Sequence, residues 1–206
     1  MSLTATTKLN AINVLLTSIG EAPVNAEGSG LDEEAIASSI LDEVSRAVQL
    51  IGWSWNTEDG YPLAKNLGGE VYLPTNALKV DFQNSKHIAR GTRVYDKSNH
   101  TYIFTSDLKA KIIFGLGWEE LPEAMRSYIM YRGGRVFQAR QLSSQIIDQF
   151  TREDEQKAWV ELVSSENEVG NHTIFQNTEL SLMLNRSSSI PAIDYHAGTL
   201  GGIAFE

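Results

Sequence analysis

The sequence predicts an α+β fold: an antiparallel helical bundle made from N- and C-terminal helices, a small antiparallel β domain inserted between them, and an extended C-terminal arm. Residues 6–51 and 122–169 carry apolar residues at helical spacing. Residues 53–121 instead hold short alternating runs rich in aromatic and β-branched residues, each bounded by Gly, Pro, Asn or Asp. After Gly170 both periodicities stop.

A first helix is expected over residues 6–19, where Leu9, Ile12, Val14, Leu15, Leu16 and Ile19 sit at mostly helical spacing. Gly20 ends it and Pro23 marks the exit. A Glu27-Gly28-Ser29-Gly30 loop leads to a second helix over about 31–51. Asp32, Glu33 and Glu34 in its first turn complement the positive end of the helix dipole. Its apolar stripe is Ala35 or Ile36, Ile40, Val44, Ala47 or Val48, and Ile51, and Gly52 caps its end. At about 1.5 Å per residue it is roughly 30 Å long. The two helices are expected to form an antiparallel hairpin.

Strand-like runs follow at 53–55, 71–73, 78–82, 93–95, 102–104 and 112–114, which predicts a β unit of five or six strands. Asp96-Lys97-Ser98-Asn99 reads as a hairpin turn between Val94-Tyr95 and Tyr102-Ile103-Phe104. Pro122, with Glu123 beside it, opens a third helix that carries Met125, Tyr128, Ile129, Val136 and Phe137 up to about Arg140. Gly133-Gly134 in its middle cost about 2 kcal/mol relative to alanines. Close approach of a neighbouring helix, or a kink, is the expected reason. A fourth helix over about 143–169 has the face Ile146 or Ile147, Phe150, Ala158 or Trp159, and Leu162, with Glu153-Asp154-Glu155 expected on its exposed side. The expected division is therefore 1–52 with 122–170 as the bundle, 53–121 as the β domain and 171–206 as the arm. The arm is Asn/Ser/Thr-rich and broken by Pro191, Gly198, Gly201 and Gly202. It still carries Phe175, Leu180, Leu182, Met183 and Tyr195, too apolar for a solvated linker, so it is expected to order against a partner.

Composition narrows the chemistry. At 206 residues, 42% hydrophobic and 21% charged, the chain has the make-up of an ordinary globular protein. It has no cysteine, which removes a disulfide framework, a thiolate metal site and a Cys nucleophile. His87, His100, His172 and His196 never fall at metal-ligand spacing, and no HExxH, GxSxG or Walker loop is present. Gly115-Leu116-Gly117 lacks the third glycine of a phosphate-binding turn. No metal or cofactor is expected. Residues 1–10 are polar, without the apolar core of a signal peptide, and no run approaches the roughly 18 apolar residues of a membrane span. The expectation is a protein made in a cytoplasm, away from membranes.

The net charge of −9 argues against a nucleic-acid binder, which would show a basic footprint. That charge is segregated: residues 1–52 hold seven acids against two bases, and 143–170 again seven against two. The dense basic cluster is Arg126, Arg132, Arg135 and Arg140 on the third helix. Pairing with the acidic helices, within or between subunits, is favoured over a nucleic-acid groove, so these four are candidate contacts. Two further sets invite chemistry. Trp53 and Trp55 share a face of an expected strand and could stack a sugar, though such pairs more often belong to the core. Glu119, Glu120 and Glu123 could furnish the paired carboxylates of a glycosidase, though acids gather at helix starts for dipole reasons alone.

Four ordered stretches carry a family resemblance. They are Leu9-Asn10-Ala11-Ile12-Asn13 through Ile19-Gly20-Glu21-Ala22-Pro23-Val24; Ile51-Gly52-Trp53-Ser54-Trp55-Asn56 with Gly60-Tyr61-Pro62-Leu63; Leu73-Pro74 with Val94-Tyr95-Asp96; and Glu120-Leu121-Pro122-Glu123-Ala124 through Arg135-Val136-Phe137-Gln138. Over about residues 5–170 they resemble the tail tubular protein A family, head-to-tail adaptors of short-tailed phages. The resemblance implies a structural, non-enzymatic virion protein at the head–tail junction, assembled in the host bacterial cytoplasm. It implies a ring of twelve copies between the portal protein and the tail nozzle (tail tubular protein B), with helical and C-terminal segments on the portal and the outside helping to hold tail fibres. Double-stranded genomic DNA would pass through without sequence-specific binding, as an acidic lining repels phosphate. The alternatives are a capsule-glycan-degrading tail enzyme and a binding module that recruits fibres without forming a ring.

Overall fold

Four α-helices and five short strands make up residues 4–141 and 145–170, the part of the chain that the computed structural model describes. The strands form an antiparallel three-stranded sheet and an antiparallel two-stranded hairpin, so the protein is mixed α+β, as expected. These elements fall in one compact unit. The expected arm, with Phe175, Leu180, Leu182, Met183 and Tyr195, lies outside the described residues.

Helix α1 (Lys8–Ser18) begins where the Thr7 hydroxyl accepts a hydrogen bond from the Asn10 N–H at 3.1 Å, which satisfies one orphan donor of the first turn. It buries Ala11, Ile12, Leu15 and Leu16. Helix α2 (Asp32–Gln49) buries Ala37, Ile40, Leu41, Val44 and Val48. This differs from the expected stripe: Ile36 is 41% exposed, and Ala35 and Ala47 also face solvent. Both stripes fit a 3.6-residue period, and Leu41 turns the inward face away from Ile36. Glu34 is buried too, where it accepts a 3.3 Å hydrogen bond from the Gly28 N–H and holds the preceding loop.

Helix α3 (Glu123–Gln141) packs against each of the other three helices. Its glycines explain how. A Cβ on Gly133 would stand 3.0 Å from Leu41 Cδ2, whereas one on Gly134 would meet Leu15 Cδ1 at 3.9 Å. Close approach therefore accounts for Gly133 while Gly134 has ordinary room, and α3 runs unbroken through both. The two sites should respond differently. Gly134→Ala is expected to stabilise the protein by about 1 kcal/mol, the helix-propensity difference, because 3.9 Å is ordinary contact. Gly133→Ala should gain less, since the fully buried Leu41 must shift. Paired thermal melts check this, and an equal gain at both positions would contradict the packing.

Helix α4 (Gln145–Gly170) turns Ala158 and Leu162 inward. Its Trp159 ring lies 5.8 Å from Trp53 and 5.0 Å from Tyr128. Glu153 and Asp154 are exposed as expected, but Glu155 is buried. Three residues before Ala158 and seven before Leu162, it belongs to their side of the helix.

The β region departs further from expectation. Residues 53–55 form a turn instead of a strand: the Asn56 side-chain carbonyl accepts from the Trp53 N–H at 2.8 Å, and Gly52 sits at φ +85°. A Cβ on Gly52 would also lie 2.7 Å from Ile113 Cδ1, so only glycine fits. Strand β1 (Thr57–Leu63) is new; it tolerates Pro62 because it is an edge strand, and it carries an irregularity between Glu58 and Tyr61. It pairs with the central β5 (Leu108–Phe114), which also pairs with β2 (Ala77–Asp81). Also new is β3 (His87–Arg90), joined to β4 (Arg93–Asp96) by a two-residue turn with Gly91 at φ +60°. Residues 71–73 and 102–104 join only through isolated bridges, Val71 to Lys65, Tyr72 to Arg93 and Ile103 to Glu70. The expected turn after β4 exists: Asp96 and Thr101 exchange backbone hydrogen bonds, and the Asp96 carboxylate accepts from the Ser98 and Asn99 N–H groups. Leu63, Val71, Phe82, Val94, Phe104, Ala110, Ile112 and Phe114 form the apolar cluster beneath.

Buried amides fasten the helices to the sheet. Gln49 takes the Leu116 N–H at 2.7 Å and gives its own amide to the Leu116 carbonyl at 3.1 Å. Asn56 donates to the carbonyls of Gln49 and Phe114. Each buried amide is thus matched by backbone partners, which is what makes its burial tolerable.

Candidate functional site

The four arginines of α3 are all engaged inside the chain. Arg126 is 6% exposed, and its guanidinium donates to the carbonyls of Leu121 at 2.9 Å, Thr6 at 3.0 Å and Glu119 at 2.7 Å, with the Glu119 carboxylate 3.4 Å away. The group faces the interior, where it joins the residues before α3 to the segment before α1. Arg132 and Arg135 reach the buried Glu155 of α4, at 3.6 and 2.5 Å. Arg140 makes a two-pronged pair with Glu43 of α2 at 2.8 and 2.9 Å, and this holds the Glu43 carboxyl below the usual carboxylate range. Pairing of basic and acidic helices within the chain is therefore observed.

The three carboxylates considered for glycan chemistry are also structural. Glu119 faces Arg126, Glu120 accepts from the Gly117 N–H at 2.9 Å, and Glu123 accepts from the Thr6 N–H at 2.9 Å and the Thr6 hydroxyl. The Thr6 carbonyl in turn takes the indole N–H of Trp118 at 2.9 Å. Together these groups clamp the segment before α1 onto the start of α3. Trp53 and Trp55 stack at 6.3 Å with planes 9° apart; Trp53, 1% exposed, belongs to the core, and the half-buried Trp55 packs on it. Among the described residues no three His, Asp or Glu side chains gather as a metal site would need.

One surface escaped sequence reasoning. Arg90 and Arg93 are direct partners across the β3–β4 hairpin. Alternation puts them on the face shared by Ile88 and Tyr95, while Val94 points into the core. The Arg90 guanidinium lies 3.8 Å from the centre of the Tyr95 ring, Arg93 lies 4.4 Å from that of Tyr102, and the two rings are 4.9 Å apart. Arg93 also pairs with Glu70, whose carboxyl it holds below the usual range. The signal was present as two arginines flanking Gly91-Thr92, but reading it needed the hairpin register.

Residues 9–172 match the tail tubular protein family, a span running from the first turn of α1 through the end of α4. Among curated proteins, tail tubular protein A of Klebsiella phage KP34 is 29% identical over 118 residues, which is 56% of this chain. The match spans 63% of that relative's own length.

Proposed function

The chain belongs to the tail tubular protein family and is a structural protein of the phage tail; from that premise we propose that it is a head-to-tail adaptor subunit. It forms a ring of twelve copies between portal and tail nozzle, at the head–tail junction, continues the DNA channel and helps attach tail fibres. Residues 1–52 and 122–170 act as a helical bundle, 53–121 as an inserted β domain, and 171–206 as an arm that docks on a partner. The observation that carries this reading is the family match over residues 9–172, which takes in all four stretches of the resemblance. The net charge of −9 fits a channel that DNA slides through, since phosphate is repelled and not captured.

The test is co-sedimentation of the full chain with its cognate portal ring, with negative-stain imaging, beside a truncation after Gly170. Ring density added to the portal by the full chain, and weakened in the truncation, is the expected result. Absence of binding by either form would remove the adaptor assignment.

A further inference from the structure

A ring subunit needs two unlike patches that fit each other, because its interface is heterologous. Much of the charge on the helices is spent inside the chain, in Arg140–Glu43, Arg132 and Arg135 with Glu155, and Lys8–Asp42. Among the described residues, two surfaces of opposite charge remain exposed. On the hairpin, Arg90 and Arg93 oppose each other directly, an arrangement that like charges disfavour. Glu70 answers Arg93, whereas Arg90 is exposed and, among the described residues, has a tyrosine face but no carboxylate partner. An anionic group from outside would relieve that repulsion.

The outer face of α4 supplies such groups. At 100° per residue, Glu153 and Val160 lie on the side opposite Glu155, Ala158 and Leu162, Glu168 and Glu161 lie on its flank, and all four are exposed. Lys157 on this face is already paired with Asp154 at 3.6 Å. The last turn of α4 carries Glu168 and no base, so the negative end of the helix dipole there has no cation of its own helix. Val160, 58% exposed, adds an apolar group beside Glu153 at the edge of this face. The hairpin mirrors this composition, with arginines around tyrosine rings.

We propose that the Arg90–Arg93 face of the β3–β4 hairpin docks on the outer face of α4 of a second copy, with the arginines meeting Glu153 and Glu161 and the Tyr95 and Tyr102 rings covering Val160. This rests on the ring reading above and adds the contact that closes each pair of neighbours.

Portal-templated ring assembly, imaged and quantified by sedimentation, tests both. Arg90→Glu and Glu161→Arg, each alone, are expected to raise the concentration needed for ring formation by roughly tenfold or more, since each sets like charges against each other. The double swap is expected to restore assembly. Because the chain has no cysteine, Arg90→Cys with Glu161→Cys also gives a clean cross-linking pair. A short bismaleimide should then produce a ladder of covalent multimers in assembled rings, which neither single variant produces. Rings that form normally in both charge-reversed variants, or that form without a ladder from the cysteine pair, would overturn the contact while leaving the ring. If the wild-type chain adds no ring to the portal, the adaptor reading falls and the contact falls with it.

Discussion

Trp53→Ala is expected to lower the stability of the isolated protein by about 3–5 kcal/mol, the usual range for deleting a buried large aromatic. The ring is 1% exposed and stands where three elements converge. Its indole N–H donates to the Val48 carbonyl at 2.9 Å, near the end of α2. Its faces and edges meet Trp55 and, from α4, Trp159. Alanine would remove both ring contacts, open a cavity beneath α4 and leave the Val48 carbonyl with backbone donors alone. The thermal midpoint should fall on the order of 10 °C for a domain of this size. Trp53→Phe, which keeps a ring but drops the N–H, should lose much less. Denaturant unfolding followed by circular dichroism measures both, and a loss under about 1 kcal/mol for the alanine variant would show that α4 does not depend on this contact.

The helices were legible because their ends are written locally. Gly20, Gly52 and Pro122 mark starts and stops without reference to the rest of the fold, and the helix boundaries fall within a few residues of those expected. Which face turns inward is not local. Ile36 and Leu41 compete for the core side of α2, and Leu41 wins because Gly133 of α3 lets it approach. Glu155 looked like part of a solvated acidic run, and only the arrival of Arg132 and Arg135 from another helix explains its burial. In the β region, Thr57–Leu63 carries Asp, Gly and Pro, a composition poor for strands, and pairing with β5 overrides it. The candidate contacts show the same division. A dense arginine cluster is visible in the chain, but the pairing of Arg140 with Glu43, 97 positions away, is a tertiary fact.

Arg126→Met carries the second large effect and separates two roles for a residue that sequence placed among the partner contacts. A surface contact would lose portal binding and leave the isolated protein intact. The geometry predicts the reverse order. Methionine fills much of the same space but cannot donate, so the carbonyls of Leu121 and Glu119 lose their side-chain donor, while the Thr6 carbonyl keeps only the Trp118 indole N–H. The buried Leu121 acceptor costs about 1–3 kcal/mol and the partly buried Glu119 acceptor less, so a loss of about 2–3 kcal/mol in the isolated protein is expected. Because the group is buried, that loss should change little with salt. Arg126→Lys should recover part of it, since an ammonium supplies donors without the planar fork that reaches three carbonyls at once. Arg140→Met serves as the contrast: its pair with Glu43 has side chains 51% and 54% exposed, and such solvent-screened pairs contribute little and weaken in salt. If Arg126→Met melts like the wild type and fails only on the portal, the clamp around Thr6 is dispensable and Arg126 belongs to the assembly interface after all.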